Sequence, residues 1–484
     1  MEVLLAGYNV DRELLASLPP ADREAATPET LSAAYARISR DPRPVPELRA
    51  EARGDVVRAR RSNEQIVFGF GHASVAEHAV FNFDILGVSR LAIEALEATR
   101  FGSYTEKSQR YILLERDCIV PEEWRAAGLE EPLRELLARQ QEGYRRAYEA
   151  LAARHARREP ERWAATQGRR ALEGAAKEDA RYFLGLATTG QLGATFNARA
   201  LEATIGRLAA DPLAEARELA RRLYALAAGV APSLVRHVEP TAHRRDATRA
   251  LAPWAAPMPA SPVPAAEATP VTLIRSSPDA ETELAAALIH GCGGRSWEEA
   301  LAAAGRMPAA ERERVLAESL RRMSPHETPP RAFELPDFTF ELTVSASCFA
   351  QLKRHRPATL LAQPYDPRLG ATEPPAFAET GLTGAYAEIR RQAESLAERI
   401  RDAAPAAAAY ALTNGHRRRV LFKANARELY HFARLRLDAH AQWDIRGLAG
   451  EMLRLARERM PLVMQLAAGK DRFAQTRRDL DMDG

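Results

Sequence analysis

Residues 100–111 read Arg-Phe-Gly-Ser-Tyr-Thr-Glu-Lys-Ser-Gln-Arg-Tyr and place cations, a carboxylate and hydroxyls on one short segment. Upstream, Phe81, Phe83 and Ile85 alternate with other residues, which predicts a half-buried strand, and the apolar spacing of residues 88–96 predicts a helix. We therefore predict a strand, a helix and a polar loop. This arrangement suits an anionic ligand because Arg binds phosphate through two parallel hydrogen bonds. A solvated, salt-bridged loop is the alternative interpretation.

A partial copy of this pattern recurs in the second half of the chain. An alternating apolar pattern at 338–344, a helical pattern at 345–353 and Arg-His-Arg at 354–356 follow one another. Later in each half comes the tripeptide Asn-Ala-Arg, at 197–199 and again at 425–427. Because the features return in the same order, the sequence indicates a tandem duplication.

Composition excludes several classes of protein. The chain has 484 residues, 46% of them hydrophobic, and a formal net charge of +3, which gives no electrostatic argument for nucleic acid. No apolar run reaches membrane-spanning length, and the first residues lack the basic start of a signal peptide. The three cysteines are widely spaced and indicate neither a disulfide framework nor a metal site. We expect a cytoplasmic protein without a metal, a nucleic-acid partner or a membrane.

The length and the repeat predict two domains joined by a linker. Residues 1–240 form the first domain and residues 271–484 the second. Between them, residues 241–270 are rich in proline and alanine, a composition that favours extended, polyproline-like structure. Amphipathic patterns in the first domain predict long helices at 131–157, 163–183, 198–208 and 213–227.

Two motifs resemble those of the flavin-dependent thymidylate synthases. The signature loop of that family reads Arg-His-Arg-x-x-Ser-x-Asn-Glu-x-Ser-x-Arg-Tyr, and a later helix carries Leu-Arg followed by Ala-Gln-Trp-Glu-Ile-Arg. This chain has Leu435-Arg436 and, at 441–446, Ala-Gln-Trp-Asp-Ile-Arg. The resemblance implies an α+β fold of two repeated thymidylate synthase-complementing-like domains. Each would be a small, mostly antiparallel sheet packed with helices.

The signature loop is divided between the two halves. Residues 103–111 keep the Ser, Glu, Ser and Arg-Tyr positions, whereas Ala98-Thr99 stands where the family has Arg-His. Residues 354–356 keep Arg-His-Arg, and Gln351 precedes them, but residues 359–364 lack the later polar positions. Because the losses are complementary, the resemblance implies one composite site, with residues of the two halves facing each other across a pseudo-twofold interface. Two chains would form a homodimer that resembles a tetramer.

By resemblance, the expected site residues fall into three groups. The catalytic residues are Arg436 and Ser108. The substrate-binding residues are Gln351, Arg354, Glu106, Gln109, Arg110 and Arg181. The cofactor-binding residues are Ser74, His355, Arg356, Asn425, Arg427 and His431.

The implied activity is reductive methylation of dUMP to dTMP, with FAD as cofactor and with NADPH and methylenetetrahydrofolate as co-substrates. Arg436 would stabilise the negative charge that develops when C5 of the uracil becomes nucleophilic. Ser108 would contact the base or the sugar and would not be a covalent nucleophile, because no His or Lys base accompanies it at useful spacing. The chain carries no glycine-rich dinucleotide fingerprint, so its FAD site would not be of the Rossmann type.

Two alternatives remain open at this point. The chain could be a non-catalytic descendant that binds a nucleotide or flavin, since Thr105 and His431 stand where the family has Asn. It could also be a flavoenzyme that modifies another pyrimidine nucleotide.

Overall fold

The structure, a computed structural model, describes residues 1–11, 26–114, 117–255 and 270–480, together with Ala16, Leu18 and Pro19. The chain divides into two compact units. The first contains Met1–Ala260 and Pro375–Thr413, and the second contains Ser261–Pro374 and Asn414–Gly484. The segment Pro375–Thr413 therefore belongs to the first unit although it lies within the second repeat of the sequence.

The regular elements alternate between strands and groups of helices along the chain. In chain order, the strands are β1 (Glu2–Tyr8), β2 (Val80–Ser89), β3 (Gly102–Glu106), β4 (Thr189–Asn197), β5 (Val271–Ser276), β6 (Asp337–Ser345), β7 (Thr359–Ala362) and β8 (Arg417–Asn425). In chain order, the α-helices are α1 (Glu29–Arg37), α2 (Val45–Gly54), α3 (Val56–Asn63), α4 (Arg90–Glu97), α5 (Glu122–Ala126), α6 (Glu130–Arg158), α7 (Pro160–Ala164), α8 (Thr166–Ala180), α9 (Ala198–Leu208), α10 (Ala214–Val230), α11 (Ala242–Ala255), α12 (Ala280–Gly293), α13 (Trp297–Arg306), α14 (Ala309–Arg321), α15 (Ala346–Leu352), α16 (Ala376–Thr380), α17 (Thr383–Arg401), α18 (Ala426–Arg436), α19 (Trp443–Arg459) and α20 (Phe473–Asp479).

The first unit contains a four-stranded antiparallel sheet in the order β1-β2-β4-β3. As predicted, the alternating residues Phe81, Phe83 and Ile85 lie in a strand, β2, and all three are buried in the core. Helix α4 follows this strand directly, which confirms the predicted strand–helix succession. The interior of this unit is therefore organised around the central pair β2 and β4.

The polar segment 100–111 is not entirely the loop that its composition predicts. Residues 102–106 form β3, an edge strand in which Tyr104 lies opposite Ala194 of β4. Ser103 and Thr105 are exposed on the other face. An edge strand buries only one face, so a few alternating apolar residues are sufficient to form it. The polar composition of the segment therefore conceals the strand from prediction.

The second unit repeats this sheet. Strands β5, β6, β8 and β7 are arranged in that order, again entirely antiparallel. Phe338 and Phe340 of β6 stack with ring centroids 6.1 Å apart, and Phe81 and Phe83 of β2 stack at 6.3 Å, with 20° between the rings in both pairs. The expected α+β fold of two repeated domains is confirmed.

The two repeats also share the junction between the first central strand and the helix that follows it. The hydroxyl of Ser89 accepts a hydrogen bond from the backbone N–H of Ala92, and the Glu215 carboxylate accepts one from the same hydroxyl at 2.5 Å. Ser345 makes the equivalent bonds, accepting from the N–H of Cys348 and donating to Asp444 at 2.5 Å. A serine N-cap thus fixes the start of α4 and of α15.

The predicted long helices of the first half are confirmed as α6, α8, α9 and α10. The proline-rich segment differs from its prediction, because residues 242–255 form α11 with Pro253 inside it, while residues 256–269 lie outside the described residues. Alanine has the highest helix propensity, and it outweighs the effect of proline in the part of the segment that precedes the closely spaced prolines. Within the part of the chain that the structure describes, no helix is long and apolar enough to cross a membrane.

The buried aromatic pair of β2 gives a stability prediction. Phe83→Ala should lower the free energy of unfolding by about 3–5 kcal/mol, because a large side chain leaves a cavity in a packed core. Val57→Ala is the control, since Val57 is 59% exposed, and it should change the unfolding free energy by less than about 0.5 kcal/mol. Urea unfolding measures both, and equal effects of the two substitutions would contradict this assignment of the core.

Candidate functional site

In the second unit, a short helix presents the Arg-His-Arg triplet. The Ser345 cap starts α15, which runs for only seven residues, Ala346–Leu352, and the triplet follows its last turn. Arg354 and Arg356 are exposed, whereas the His355 side chain between them is buried. The alternation places two cations at the surface and the imidazole inside.

The His355 imidazole is held at both ring nitrogens. Its Nδ1 lies 3.0 Å from Oε1 of Glu428, and its Nε2 accepts a hydrogen bond from Nε of Arg436 at 3.0 Å. Phe432 packs edge-on against the ring at 4.7 Å, and the ring of His431 lies 5.7 Å away. The imidazole is therefore fixed between a carboxyl group and a guanidinium.

Burial controls the charges in this cluster. Desolvation, assisted by the positive charge of Arg436, lowers the pKa of His355 to about 3, so the ring is neutral at physiological pH. Desolvation raises the pKa of Glu428 to about 7. It also lowers the pKa of His431, against the opposing effect of Glu428. The guanidinium of Arg436 therefore contacts an uncharged imidazole at neutral pH.

Gln351 holds the same guanidinium from a second direction. Nη2 of Arg436 donates to the backbone carbonyl of Gln351 at 3.0 Å. The side-chain amide of Gln351 in turn donates to Oε1 of Gln442, which is fully buried, at 3.2 Å. Three of the predicted site residues, Gln351, His355 and Arg436, are therefore brought together within the second unit.

The other predicted cofactor residues occupy different positions. Asn425 caps α18 by accepting from the N–H of Glu428. The guanidinium of Arg427 bonds the backbone carbonyl of Pro329 and the side chains of Glu334 and Thr328. Ser74, in the first unit, is exposed on the 3₁₀ turn Ala73–His78. Of these residues, Asn425 touches the His355 cluster, through the backbone N–H of Glu428.

The first unit brings together the second group of predicted residues. Glu106, at the end of β3, accepts a hydrogen bond from buried Arg90 at 3.1 Å. The Ser108 hydroxyl accepts from the backbone N–H of Arg110 at 3.1 Å. Gln109 lines the same small recess as Arg90 and Glu106. The predicted residues of this segment therefore lie close together in space.

Two further arginines complete this group. Nε of Arg110 donates to Glu178 on α8 at 2.6 Å. Arg181, in the 3₁₀ turn after α8, is buried, and desolvation lowers its pKa, with smaller lowering effects from Arg90 and Arg110. A buried guanidinium beside other positive charges is stabilised by an anion, and phosphate oxygens suit its fork geometry.

The first unit does not repeat the His355 cluster. Leu208, fully buried, ends α9 at the place where Arg436 ends α18. Thr99 follows α4 where His355 follows α15, and its hydroxyl lies 2.9 Å from that of Thr204. Arg207 donates to the Thr99 hydroxyl at 3.0 Å, and burial lowers the pKa of Arg207. Packed and hydrogen-bonded side chains therefore fill this position.

The predicted site residues did not include four that hold them in place, Arg90, Glu178, Glu428 and Gln442, although Gln442 belongs to the motif at 441–446. Two of them carried a local signal. Glu178 stands three residues before Arg181, so both lie on one helical face, and Arg90 is a cation in an otherwise apolar stretch. Glu428 carried no such signal, because its partner His355 is distant in the sequence.

Taken together, each unit combines an antiparallel sheet with cationic and amide donors, which defines a duplicated α+β protein suited to an anionic ligand. The sequence profile of the thymidylate synthase complementing protein family matches residues 23–233 and 272–462, most of the chain in two segments. The chain therefore belongs to the thymidylate synthase complementing protein family. The resemblance drawn from the motifs and the tandem duplication is confirmed.

Several known proteins are similar to this chain. The UPF0159 protein Ta1429 of Thermoplasma acidophilum is 26% identical over 467 residues, which cover 87% of this chain and 91% of that protein. The flavin-dependent thymidylate synthase of Geobacter sulfurreducens is 32% identical over 178 residues, 36% of this chain and 67% of the relative. A crystal structure of the flavin-dependent thymidylate synthase of Helicobacter pylori, complexed with FAD and dUMP, matches 49% of this chain and 100% of its own at 18% identity and a TM-score of 0.30.

The buried imidazole predicts how stability depends on pH. The pKa of His355 is lowered from 6.5 to about 3, so the unfolded chain binds a proton that the folded chain refuses. Stability attributable to His355 therefore falls as the pH drops from about 6.5 towards 3, and the loss at about pH 5 is about 2 kcal/mol.

His355→Gln isolates this effect, because glutamine can donate to Glu428 and accept from Arg436 but cannot titrate. Between about pH 7.5 and about pH 5, its unfolding free energy should gain about 2 kcal/mol relative to the wild type. Urea unfolding at both pH values makes the measurement. A difference between the two proteins that does not change with pH would contradict the lowered pKa.

Proposed function

We propose that this protein is an FAD-dependent enzyme that methylates dUMP to dTMP, using methylenetetrahydrofolate and NADPH. Membership of the family supports the reaction class, and so does the similarity to the Geobacter enzyme. The observation that carries the proposal is the fixed guanidinium of Arg436, whose Nε and Nη2 are both bonded. A preorganised cation of this kind stabilises the negative charge that develops on a uracil ring when C5 attacks.

The two groups of residues have complementary tasks in this proposal. Arg354, Arg110 and Arg181 bind the nucleotide phosphate, because guanidinium forks match phosphate oxygens and fix orientation. Arg436 donates to the polar edge of the uracil. Ser108 contacts the base or sugar, and its hydroxyl is already oriented by the N–H of Arg110. Gln351, Glu106 and Gln109 supply further amide and carboxylate contacts. We propose that both groups serve the same nucleotide, on the basis of the complementary losses in the sequence.

The residues assigned to FAD differ in how they can reach it. Arg356 and Ser74 are exposed and His431 is half-buried, so each can contact a ligand directly. Arg427 and Asn425 add a guanidinium and an amide, and this donor set suits the pyrophosphate and the polar ring edge of a flavin dinucleotide. His355 is engaged at both nitrogens and acts on such a ligand through Arg436. When bound, FAD supplies the transfer of a hydride.

A second candidate function is a non-catalytic protein that binds the nucleotide or flavin. The filled position around Thr99 and Arg207 favours it, because one repeat has already lost the arrangement. A flavoenzyme acting on another pyrimidine nucleotide is the third possibility. For each of the three functions, we propose that the protein is a cytoplasmic homodimer. The release of tritium from C5-labelled dUMP separates these functions.

The proposed chemistry predicts that both repeats contribute to turnover. Arg436→Ala and Ser108→Ala should each lower kcat/KM for dUMP by at least about 100-fold, as for the loss of one preorganised donor. The measurements are tritium release from C5-labelled dUMP and rescue of a thymidine auxotroph, with purified protein that carries a bleachable flavin spectrum.

Arg322→Ala is the control, because the side chain of Arg322 is 83% exposed and forms an ion pair with Glu318 at the end of α14. It should leave turnover unchanged. Wild-type turnover by either site variant would refute the joint role of the two repeats. The absence of any tritium release or rescue by the wild type would refute synthase activity.

The filled position in the first unit predicts one nucleotide per chain. Calorimetric titration with dUMP should saturate at one equivalent per chain, because α18 ends in an arginine held by an imidazole whereas α9 ends in Leu208. Arg436→Ala should weaken this binding, and Arg207→Ala should not create a second site. Saturation at two equivalents per chain would contradict the assignment.

A further inference from the structure

Glu428 lies behind the imidazole that holds Arg436, and neither the family signature nor the sequence motifs give it a role. We propose that Glu428 is a positioning residue, which sets the tautomer of His355 and thereby the orientation of Arg436. Its consequence for nucleotide binding rests on the proposed function. The hydrogen-bond chain itself does not.

The donor and acceptor roles along this chain follow from the arginine. A guanidinium only donates, so Nε2 of His355, 3.0 Å from Nε of Arg436, must offer its lone pair. The neutral ring therefore carries its proton on Nδ1. That proton points to Oε1 of Glu428 at 3.0 Å. If the carboxyl group of Glu428 is removed, the Nδ1–H of the buried ring has no acceptor, so exchanging tautomers or turning the ring becomes favourable. Nε of Arg436 then loses the lone pair of Nε2 as its acceptor.

Helix α18 makes this chain of hydrogen bonds rigid. Glu428 and Arg436 both lie on α18, about two turns apart, so they present side chains on the same face. Asn425 fixes the first turn by accepting from the N–H of Glu428 at 2.8 Å. His355 bridges the two from α15, and Phe432 packs against its ring. Packing therefore holds the imidazole ring in place, and what can still change is which of its two nitrogens carries the proton.

The competing interpretation is a buried polar pair that only stabilises the fold. Glu428 also faces His431 and Arg427, whose charges act on its pKa, and His431 faces Arg434 and Arg436. A structural pair and a positioning residue both contribute stability, so stability alone does not separate them. The tautomer of His355 and the hydrogen bond of Arg436 do.

The experiment compares two substitutions at one position in the full-length protein. Glu428→Gln keeps an acceptor for Nδ1–H, whereas Glu428→Leu has similar volume and no acceptor. Two-bond nitrogen–proton NMR spectra of protein labelled with ¹⁵N-histidine report the tautomer of His355, assigned through His355→Gln. The Nε signal of Arg436 reports its hydrogen bond. Calorimetry measures dUMP binding.

We expect the wild type and Glu428→Gln to show the Nδ1–H tautomer, and Glu428→Leu to lose it together with the Arg436 signal. The dissociation constant for dUMP should rise about tenfold in Glu428→Leu, the scale of one hydrogen bond to a charged group, and much less in Glu428→Gln. Glu215→Gln is the matched control. Glu215 is a half-buried carboxylate whose pKa is also raised by desolvation, and it bonds Ser89 and Tyr410 in the first unit.

Four results would overturn the proposal. They are an Nε2–H tautomer in the wild type, an unchanged tautomer in Glu428→Leu, an unchanged Arg436 signal there, and a shifted tautomer with unaltered dUMP binding. The first of these remains decisive even if Glu428→Leu does not fold. If the wild type binds no dUMP, the proposed function fails, and the two NMR signals alone then decide whether Glu428 positions Arg436.

Discussion

The arrangement of both units depends on one constraint, the side-chain cap with which a central sheet strand ends and a helix begins. Ser89, Asn197, Ser345 and Asn425 each accept a hydrogen bond from the backbone N–H three residues further on. Each cap satisfies a donor that the first helical turn leaves without a partner, and it fixes the angle at which the helix leaves the sheet. Because β6 and β8 are antiparallel, with Asp337 opposite Asn425 and Ser345 opposite Arg417, the helices α15 and α18 start at opposite ends of this strand pair. The segment after α15 meets α18, where His355 contacts both Glu428 and Arg436.

This constraint explains how two repeats can share a fold and differ in chemistry. The sheet, the caps and the acid that accepts from each capping serine occur in both. The residues at the far ends of the helices differ, with His355 and Arg436 in one repeat and Thr99 and Leu208 in the other. Such positions lie in the last turn of the helix or just beyond it, far from the cap, so a substitution there leaves the start of the helix intact.

The sequence predicted those parts of the fold that local periodicity determines. Phe81, Phe83 and Ile85 identify β2, and the apolar spacing of residues 198–208 matches α9 from end to end. Tertiary context decided the rest. Residues 102–106 become a strand because β4 offers a free edge, and their composition alone favours a loop. The position of α17 in the first unit also carries no local signal, since it depends on packing such as that of Tyr386 against Phe183.

The candidate site was predictable to the extent that a motif names its residues, but a motif does not name their partners. His355 stands in a recognisable position, whereas its partner Glu428, which lies outside the motifs, contacts it across a long stretch of chain. Burial is the other property that the letters did not reveal. His355 lies between two exposed arginines in sequence and is nevertheless 2% exposed. Its environment, and hence its lowered pKa, follows from α18 packing over it.

The contrast between the two groups of arginines suggests why an imidazole was retained. Arg110 contacts the carboxylate of Glu178 directly at 2.6 Å, so the two charges partly offset each other. Arg436 instead contacts a neutral imidazole, and the carboxyl group of Glu428 lies on the far side of the ring. The raised pKa of Glu428 weakens its negative charge further near neutral pH. The bonds from Nε and Nη2 thereby fix the direction of the guanidinium through an imidazole and a backbone carbonyl.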